Sequence, residues 1–164
     1  MRYNLIREMD IANGPGIRVS IFMQGCEFNC ENCFNPETHD FNGGKEFTAE
    51  TIKKVLEASS KEYIAGLSIL GGEPMHPKNV EGTEQIAKEF KKKYPNKNVW
   101  VWSGFKYEDY LKKQKALDYI DVIVDGQFDE KLRNPNLKWK GSSNQRVIDV
   151  KESKKQDKII LFCE

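Results

Sequence analysis

Four apolar runs, each stopping at a polar or glycine-containing turn, constrain this chain more than any other feature. Residues 17–23 alternate apolar and polar side chains like a half-buried strand and stop at Gln24-Gly25-Cys26. Leu67-Ser68-Ile69-Leu70 stops at Gly71-Gly72-Glu73-Pro74, and Val99-Trp100-Val101-Trp102 at Ser103-Gly104. Residues 120–124 stop at Asp125-Gly126-Gln127. Amphipathic stretches lie between them. Thr48 is placed to cap a helix over residues 49–61, with Ile52, Val55 and Leu56 on one face. Residues 79–94 put Val80, Thr83, Ala87, Phe90 and Tyr94 on one stripe, and residues 107–117 read as a further helix. Residues 146–150 and 158–162 are weaker strand candidates.

Strand alternating with helix predicts an α/β domain with mostly parallel strands. In such folds ligands bind at the C-terminal ends of strands, so the four turns are expected to converge on one site. A complete eight-unit barrel takes about 250 residues, and a chain of this length has room for about five or six units. The expectation is an incomplete, open (β/α) barrel. It forms a single domain over residues 1–164, with 151–164 as a C-terminal tail or edge strand.

Composition excludes some partners. A formal net charge of +1 creates no strong field towards nucleic acid or an acidic membrane. No apolar run approaches the ~20 residues that span a bilayer. Met1-Arg2-Tyr3-Asn4-Leu5 is too polar for a signal peptide, so the expected location is the cytoplasm.

Three of the four cysteines crowd into one loop as Cys26-x3-Cys30-x2-Cys33, and Cys163 stands apart. A spread-out even set would suggest disulfides; this set points to metal binding or redox chemistry. Thiolates suit both zinc and iron–sulfur clusters. Structural zinc, with Cys163 or His39 as fourth ligand, is therefore an alternative. Structural zinc and electron-transfer 4Fe–4S sites both use a closed set of four ligands. A compact three leaves one position open, as a catalytic centre needs. Cys163 itself reads as a small buried hydrophobe or a tail thiol.

The cysteine spacing resembles that of the radical S-adenosylmethionine superfamily. Asn13-Gly14-Pro15-Gly16-Ile17-Arg18, followed by Phe22-Met23-Gln24-Gly25-Cys26, is similar to the opening of the glycyl-radical activating enzymes. Within these, the chain resembles the activases of anaerobic (class III) ribonucleoside-triphosphate reductases over residues 3–150. The likeness runs through Cys33-Phe34-Asn35, Gly71-Gly72-Glu73-Pro74, residues 100–106, Val124-Asp125-Gly126 and residues 139–145.

The resemblance implies a radical S-adenosylmethionine barrel in which Cys26, Cys30 and Cys33 bind three irons of a 4Fe–4S cluster. The fourth iron is left to S-adenosylmethionine. It assigns Gly71, Gly72 and Glu73 to the methionine amino group; glycines let the backbone approach, and a carboxylate complements an ammonium. Ser103 holds the methionine end. Asp125 and Gln127 stand where relatives carry an Asp-x-Lys contact to ribose or carboxylate, and Gln127 lacks that lysine's charge. Asn32, Cys33 and Phe34 face adenine. No catalytic side chain is implied beyond the cluster and S-adenosylmethionine. The implied act is hydrogen abstraction from a glycine of the partner reductase, with a reduced flavodoxin-like protein as electron donor. The alternatives are a radical enzyme acting on a small molecule and a non-catalytic, zinc-stabilised interaction module.

Other residues receive bland readings. Arg18 serves a cluster's charge or a partner, or is an exposed strand arginine. His39 and His76 carry no catalytic pattern, and residues 88–93 read as a solvated helix face. Trp100 and Trp102 share a strand face and pack the core. Residues 139–145 form a loop without an assigned role.

Overall fold

The computed structural model describes residues 1–28, 30–33 and 35–163. Among these, eight strands make one sheet: β1 (Arg2–Asp10), β2 (Ile17–Gln24), β3 (Lys45–Glu46), β4 (Ile64–Gly71), β5 (Asn98–Trp102), β6 (Val122–Asp125), β7 (Arg146–Asp149) and β8 (Leu161–Cys163). Their order is β3-β1-β2-β4-β5-β6-β7-β8. The central β2, β4, β5 and β6 run parallel, and their C-terminal ends are the four turns singled out above.

The flanks correct the sequence expectation. Of the seven neighbouring pairs, four are antiparallel, so the sheet is mixed and mostly antiparallel. Parallel neighbours need a crossover of about a dozen residues or more, and residues 11–16 are too few to make one between β1 and β2. β1 carries no strand signature in its sequence, because Arg7, Glu8 and Met9 are exposed in a row and break any period-two pattern. Beyond β6, the chain wanders through residues 126–145 without an α-helix and returns antiparallel.

Alternation sorts the parallel strands into two faces. Val19, Ile21, Leu67, Ile69, Val99 and Val101 join the large core that also holds Ile52, Val55, Ile86 and Phe90 of the helices. Each such buried side chain contributes about 1.5–3 kcal/mol, so β2 and β4, buried on both faces, anchor the sheet. On the opposite face, Trp100, Val122, Val124 and Val147 form a second cluster closed by Trp102, Trp139 and Cys163. Trp100 and Trp102 do share a face, with ring centroids 5.8 Å apart.

Among the described residues there are three α-helices. α1 (Ala49–Ala58) begins after Thr48, whose N–H is accepted by the Thr51 hydroxyl at 3.0 Å. It ends short of residue 61, where Ser59 donates its hydroxyl back to the Val55 carbonyl at 2.7 Å. α2 (Val80–Lys93) buries Thr83, Ile86, Ala87 and Phe90 as its stripe requires. Lys91 departs from the solvated-face reading: its Nζ donates to Asp121 Oδ2 at 3.1 Å. α3 (Val150–Gln156) follows Asp149, whose carboxylate caps it by accepting from Glu152 N–H at 3.0 Å.

The helix expected over 107–117 is absent among the described residues. Two 3-10 turns, Leu111–Lys113 and Lys115–Tyr119, replace it, with Gln114 extended between them. Tertiary anchors override the local preference here. The Tyr110 hydroxyl donates to the Met75 carbonyl at 2.6 Å, its ring stacks on Phe105 at 4.0 Å, and Leu111 is fully buried.

Candidate metal centre

The four strand-end turns open onto one cavity of about 530 Å³. Cys26, Cys30, Cys33, Gly71, Gly72, Glu73, Ser103 and Gln127 all line it. Asn32 and Asp125 do not, and Phe34 lies outside the described residues. Residues 133–135, Leu137, 139–141 and Gln145 supply a wall that the sequence did not announce.

The cysteine loop is closed at its base. Gly25 N–H donates to Thr38 O at 2.6 Å, and Cys26 N–H to His39 O at 3.1 Å. The Gln24 amide reinforces this by donating to the Glu37 and Asp40 carbonyls at 3.0 and 2.7 Å. Backbone N–H groups are directed at the sulfurs. Asn35 N–H donates to Cys33 Sγ at 3.4 Å, and backbone hydrogen bonds at Phe28 and Phe128 favour the Cys26 and Cys30 thiolates. Burial nonetheless pushes the Cys26 thiol up to about 11, and burial with the neighbouring Cys33 raises Cys30. The Cys26 and Cys30 thiols resist ionisation, and a bound cation would draw them into the thiolate form.

These features fit a 4Fe–4S cluster: three sulfur donors on one loop, amides that hydrogen-bond the sulfurs, and a buried ring nitrogen, His39 Nε2, without a partner among the described residues. Among the described residues no three Cys, His, Asp or Glu side chains are gathered tightly enough to hold a single metal ion. Cys163, on β8, pairs with Val147 of β7 and packs on the tryptophan cluster, so it is not brought to the cavity.

Glu73 binds two strand-end turns together. It is 1% exposed. Its Oε2 accepts from Met75 N–H and the Ser103 hydroxyl, both at 2.8 Å, and its Oε1 from Gly104 N–H at 2.6 Å. Burial pushes this carboxyl up to about 7, against the pull of those three hydrogen bonds. Gly72 sits so close to the cysteine loop that a Cβ would lie 2.6 Å from Gly25 O and 2.8 Å from Thr38 O. His76 and Asn79, to which the sequence assigned nothing, also reach across to that loop.

Asp125 turns away from the cavity. Its carboxylate accepts from Tyr107 N–H at 2.9 Å and from Arg146 Nε and Nη2 at 3.0 and 2.5 Å. Residues 139–145 gain a role as wall. Gln145 Oε1 accepts from Gly141 and Ser142 N–H, its Nε2 donates to Gly126 O at 3.0 Å, and Trp102 Nε1 donates to Trp139 O at 2.7 Å.

Arg18 is neither exposed nor part of the cavity lining. It is fully buried, and donates to Ser68 Oγ at 2.7 Å, Leu67 O at 3.0 Å and Pro15 O at 3.1 Å. Burial lowers its pKa to about 10. Ser68 in turn donates to Asn13 O at 2.6 Å, so Arg18 secures the turn that presents Ala12 and Asn13 to the cavity. Gly14 lies against it: with φ +102°, a Cβ there would stand 2.8 Å from Arg18 Nε.

A sulfur-bearing loop at the mouth of a mixed α/β sheet is the mark of a metal-cluster domain, and a family model described as a 4Fe-4S single cluster domain matches residues 12–148. The chain is 41% identical over 147 residues to the anaerobic ribonucleoside-triphosphate reductase-activating protein of Enterobacteria phage T4, covering 90% of this chain and 93% of that one. Identity to the proteins of the same name from Salmonella typhimurium and Escherichia coli K12 is 39% and 37%. Each match spans 150 residues, 90% of this chain and 97% of theirs. The chain belongs to the family of anaerobic ribonucleoside-triphosphate reductase-activating proteins.

Proposed function

We propose that this chain activates an anaerobic ribonucleoside-triphosphate reductase by leaving a glycyl radical on it. One observation carries the reading. The three loop cysteines share a cavity with Gly71, Gly72, Glu73 and Ser103, at the ends of three parallel strands. Cys26, Cys30 and Cys33 would hold three irons, leaving the fourth to S-adenosylmethionine. When bound, the 4Fe–4S cluster supplies the one electron that breaks the S–C5′ bond to give methionine and a 5′-deoxyadenosyl radical. Removal of one hydrogen atom from a glycine Cα of the partner then leaves 5′-deoxyadenosine and the glycyl radical.

The chain's own residues bind, orient and exclude water. Gly71 and Gly72 offer unshielded backbone to the methionine end. Glu73 presents a carboxylate held in place by Ser103 and Gly104. Gln127 and the segment Asn32-Cys33-Phe34, of which Cys33 lines the cavity and Asn32 does not, are assigned to the adenosine end. Asp125 serves it indirectly through Arg146 and the Tyr107 amide. Phe22, Leu70 and Trp102 line the cavity from the sheet face opposite the helices, which supports reading the sheet as an incomplete barrel formed by a single domain. A segment of the partner would close its mouth and exclude water from the radical. Electrons are assigned to a reduced flavodoxin-like protein. Among the described residues no helix is long and apolar enough to cross a membrane, and we place the reaction in the cytoplasm.

The test mixes the reduced protein, S-adenosylmethionine and the reductase without oxygen. Electron paramagnetic resonance is expected to show a glycyl doublet on the reductase. Cleavage of S-adenosylmethionine without that doublet rejects the partner and leaves a radical enzyme of another substrate. A colourless protein with stoichiometric zinc rejects the cluster.

A further inference from the structure

We infer that Asn79 and His76 are positioning residues that hold the cysteine loop in register with the Gly71-Gly72-Glu73 turn. The metal-binding and methionine-binding halves of the site then move as one unit. The inference rests on the function proposed above.

Asn79 is 1% exposed and stands immediately before α2. Its Nδ2 donates to Glu73 O at 3.0 Å, Gln24 O at 3.2 Å and Gly25 O at 3.4 Å. Two N–H bonds thus serve three carbonyls, drawn from the ends of β2 and β4. These strands part at their C-terminal ends, where the parallel ladder gives way to turns. A buried amide substitutes for the missing ladder bonds and satisfies carbonyls that water does not reach. Gly25 O also accepts Glu73 N–H at 2.8 Å, so the same junction is held from both sides.

His76 extends the tie into the loop itself. Its Nδ1 accepts Lys78 N–H at 3.0 Å, which puts the proton of a neutral ring on Nε2. That Nε2 meets Glu27 Oε1 at 2.9 Å. Glu27 follows Cys26 directly, so a side chain from the turn after β4 grips the loop beside its first cysteine. Phe41 packs on the imidazole at 4.7 Å between centroids and fixes its orientation. Loading the loop or binding the methionine end would each restrain the other half through these contacts.

The experiment combines two measurements on Asn79→Asp, His76→Ala, Glu27→Ala, the Glu27→Ala/His76→Ala pair and His76→Gln. The first is hydrogen exchange of amides 26–33 in the metal-free protein. The second is iron content, KM and kcat for S-adenosylmethionine in the reconstituted protein. Asn79→Asp keeps the side chain's size but turns a donor into an acceptor facing three carbonyls. We expect faster exchange, wild-type iron content and a KM raised about tenfold with a smaller change in kcat. Glu27→Ala is expected to raise KM about threefold and His76→Ala at least as much, since it also removes the Lys78 and Phe41 contacts; the double variant is expected to match His76→Ala, because the Glu27 contact is already lost there. His76→Gln, whose amide N–H reaches the Nε2 position, is expected to restore most of the effect.

Unchanged exchange and KM in His76→Ala, or additive effects in the double variant, overturn the inference. If Asn79→Asp fails to fold, the two variants at the exposed end of the tie still decide it. A wild-type protein that does not cleave S-adenosylmethionine at all overturns the proposed function instead, and the metal-free exchange then still decides the clamp.

Discussion

The Ser103 hydroxyl donates to Glu73 Oε2 at 2.8 Å, across the gap between the turns that end β5 and β4. Glu73 is buried, and its pKa of about 7 lies above the ordinary carboxylate value of 4.5. A carboxyl raised in the folded state contributes stability in full below its unfolded pKa, and loses it as pH climbs through the folded pKa. Ser103→Ala leaves the carboxylate two donors instead of three. The expected loss in metal-free protein is about 1 kcal/mol at pH 5, where Glu73 is protonated, and about 2 kcal/mol at pH 8, where a charged hydrogen bond is lost. Urea unfolding at the two pH values measures it. Equal losses would show that Glu73 does not titrate in this window.

The proposed ligand set makes a sharper prediction. Alanine at Cys26, Cys30 or Cys33 is expected to abolish stoichiometric iron and sulfide after anaerobic reconstitution. Cys163→Ala is expected to keep wild-type iron, because Cys163 sits on β8 against Trp100 and not at the cavity. Metal analysis of the four variants checks both halves. Loss of iron in Cys163→Ala would force a revised ligand set.

Arg18→Lys is expected to cost about 3 kcal/mol or more, despite keeping the charge. The guanidinium serves acceptors on Ser68, Leu67 and Pro15 at once, and an ammonium on a flexible stem cannot match that planar spread. The midpoint of chemical unfolding reads the loss directly. A variant as stable as the wild type would show that the buried network is dispensable.

Gln145→Ala tests the wall formed by residues 139–145. Removing this side chain leaves Gly141 N–H, Ser142 N–H and Gly126 O without the partners they have now. Limited proteolysis of the metal-free protein is expected to cut within 139–145 about tenfold faster, as a loss of about 1.4 kcal/mol in local stability requires. Unfolding of the sheet is expected to change little, and cleavage rates equal to wild type would assign the wall's order to Trp139 and Trp102 instead.

Much of the site was legible in the chain itself. Cys26, Cys30 and Cys33 are neighbours in sequence, and so are Gly71, Gly72 and Glu73; local motifs survive whatever the rest of the fold does. Their convergence also followed from local information, since each apolar run ends where its polar or glycine turn begins. The strand directions were less accessible. β1 lacks alternation, and its antiparallel pairing depends on the short turn over residues 11–16. The failed helix over 107–117 shows the same limit, because Tyr110 is tethered to Met75, a residue 35 positions away.

The sequence by itself determined which residues bring sulfur, where the strands stop, and which faces are apolar. Those are properties of spacing and side-chain chemistry. The tertiary structure alone decided which polar groups are free to meet a ligand. Asp125 looked available until the register of β6 and β7 set it opposite Arg146. Arg18 was open to a cluster, a partner or solvent until β4 closed over it, and Asn79 and His76 gained roles only when their partners arrived from the cysteine loop. Hydrogen bonding between distant segments depends on register and burial, which no local window of sequence contains.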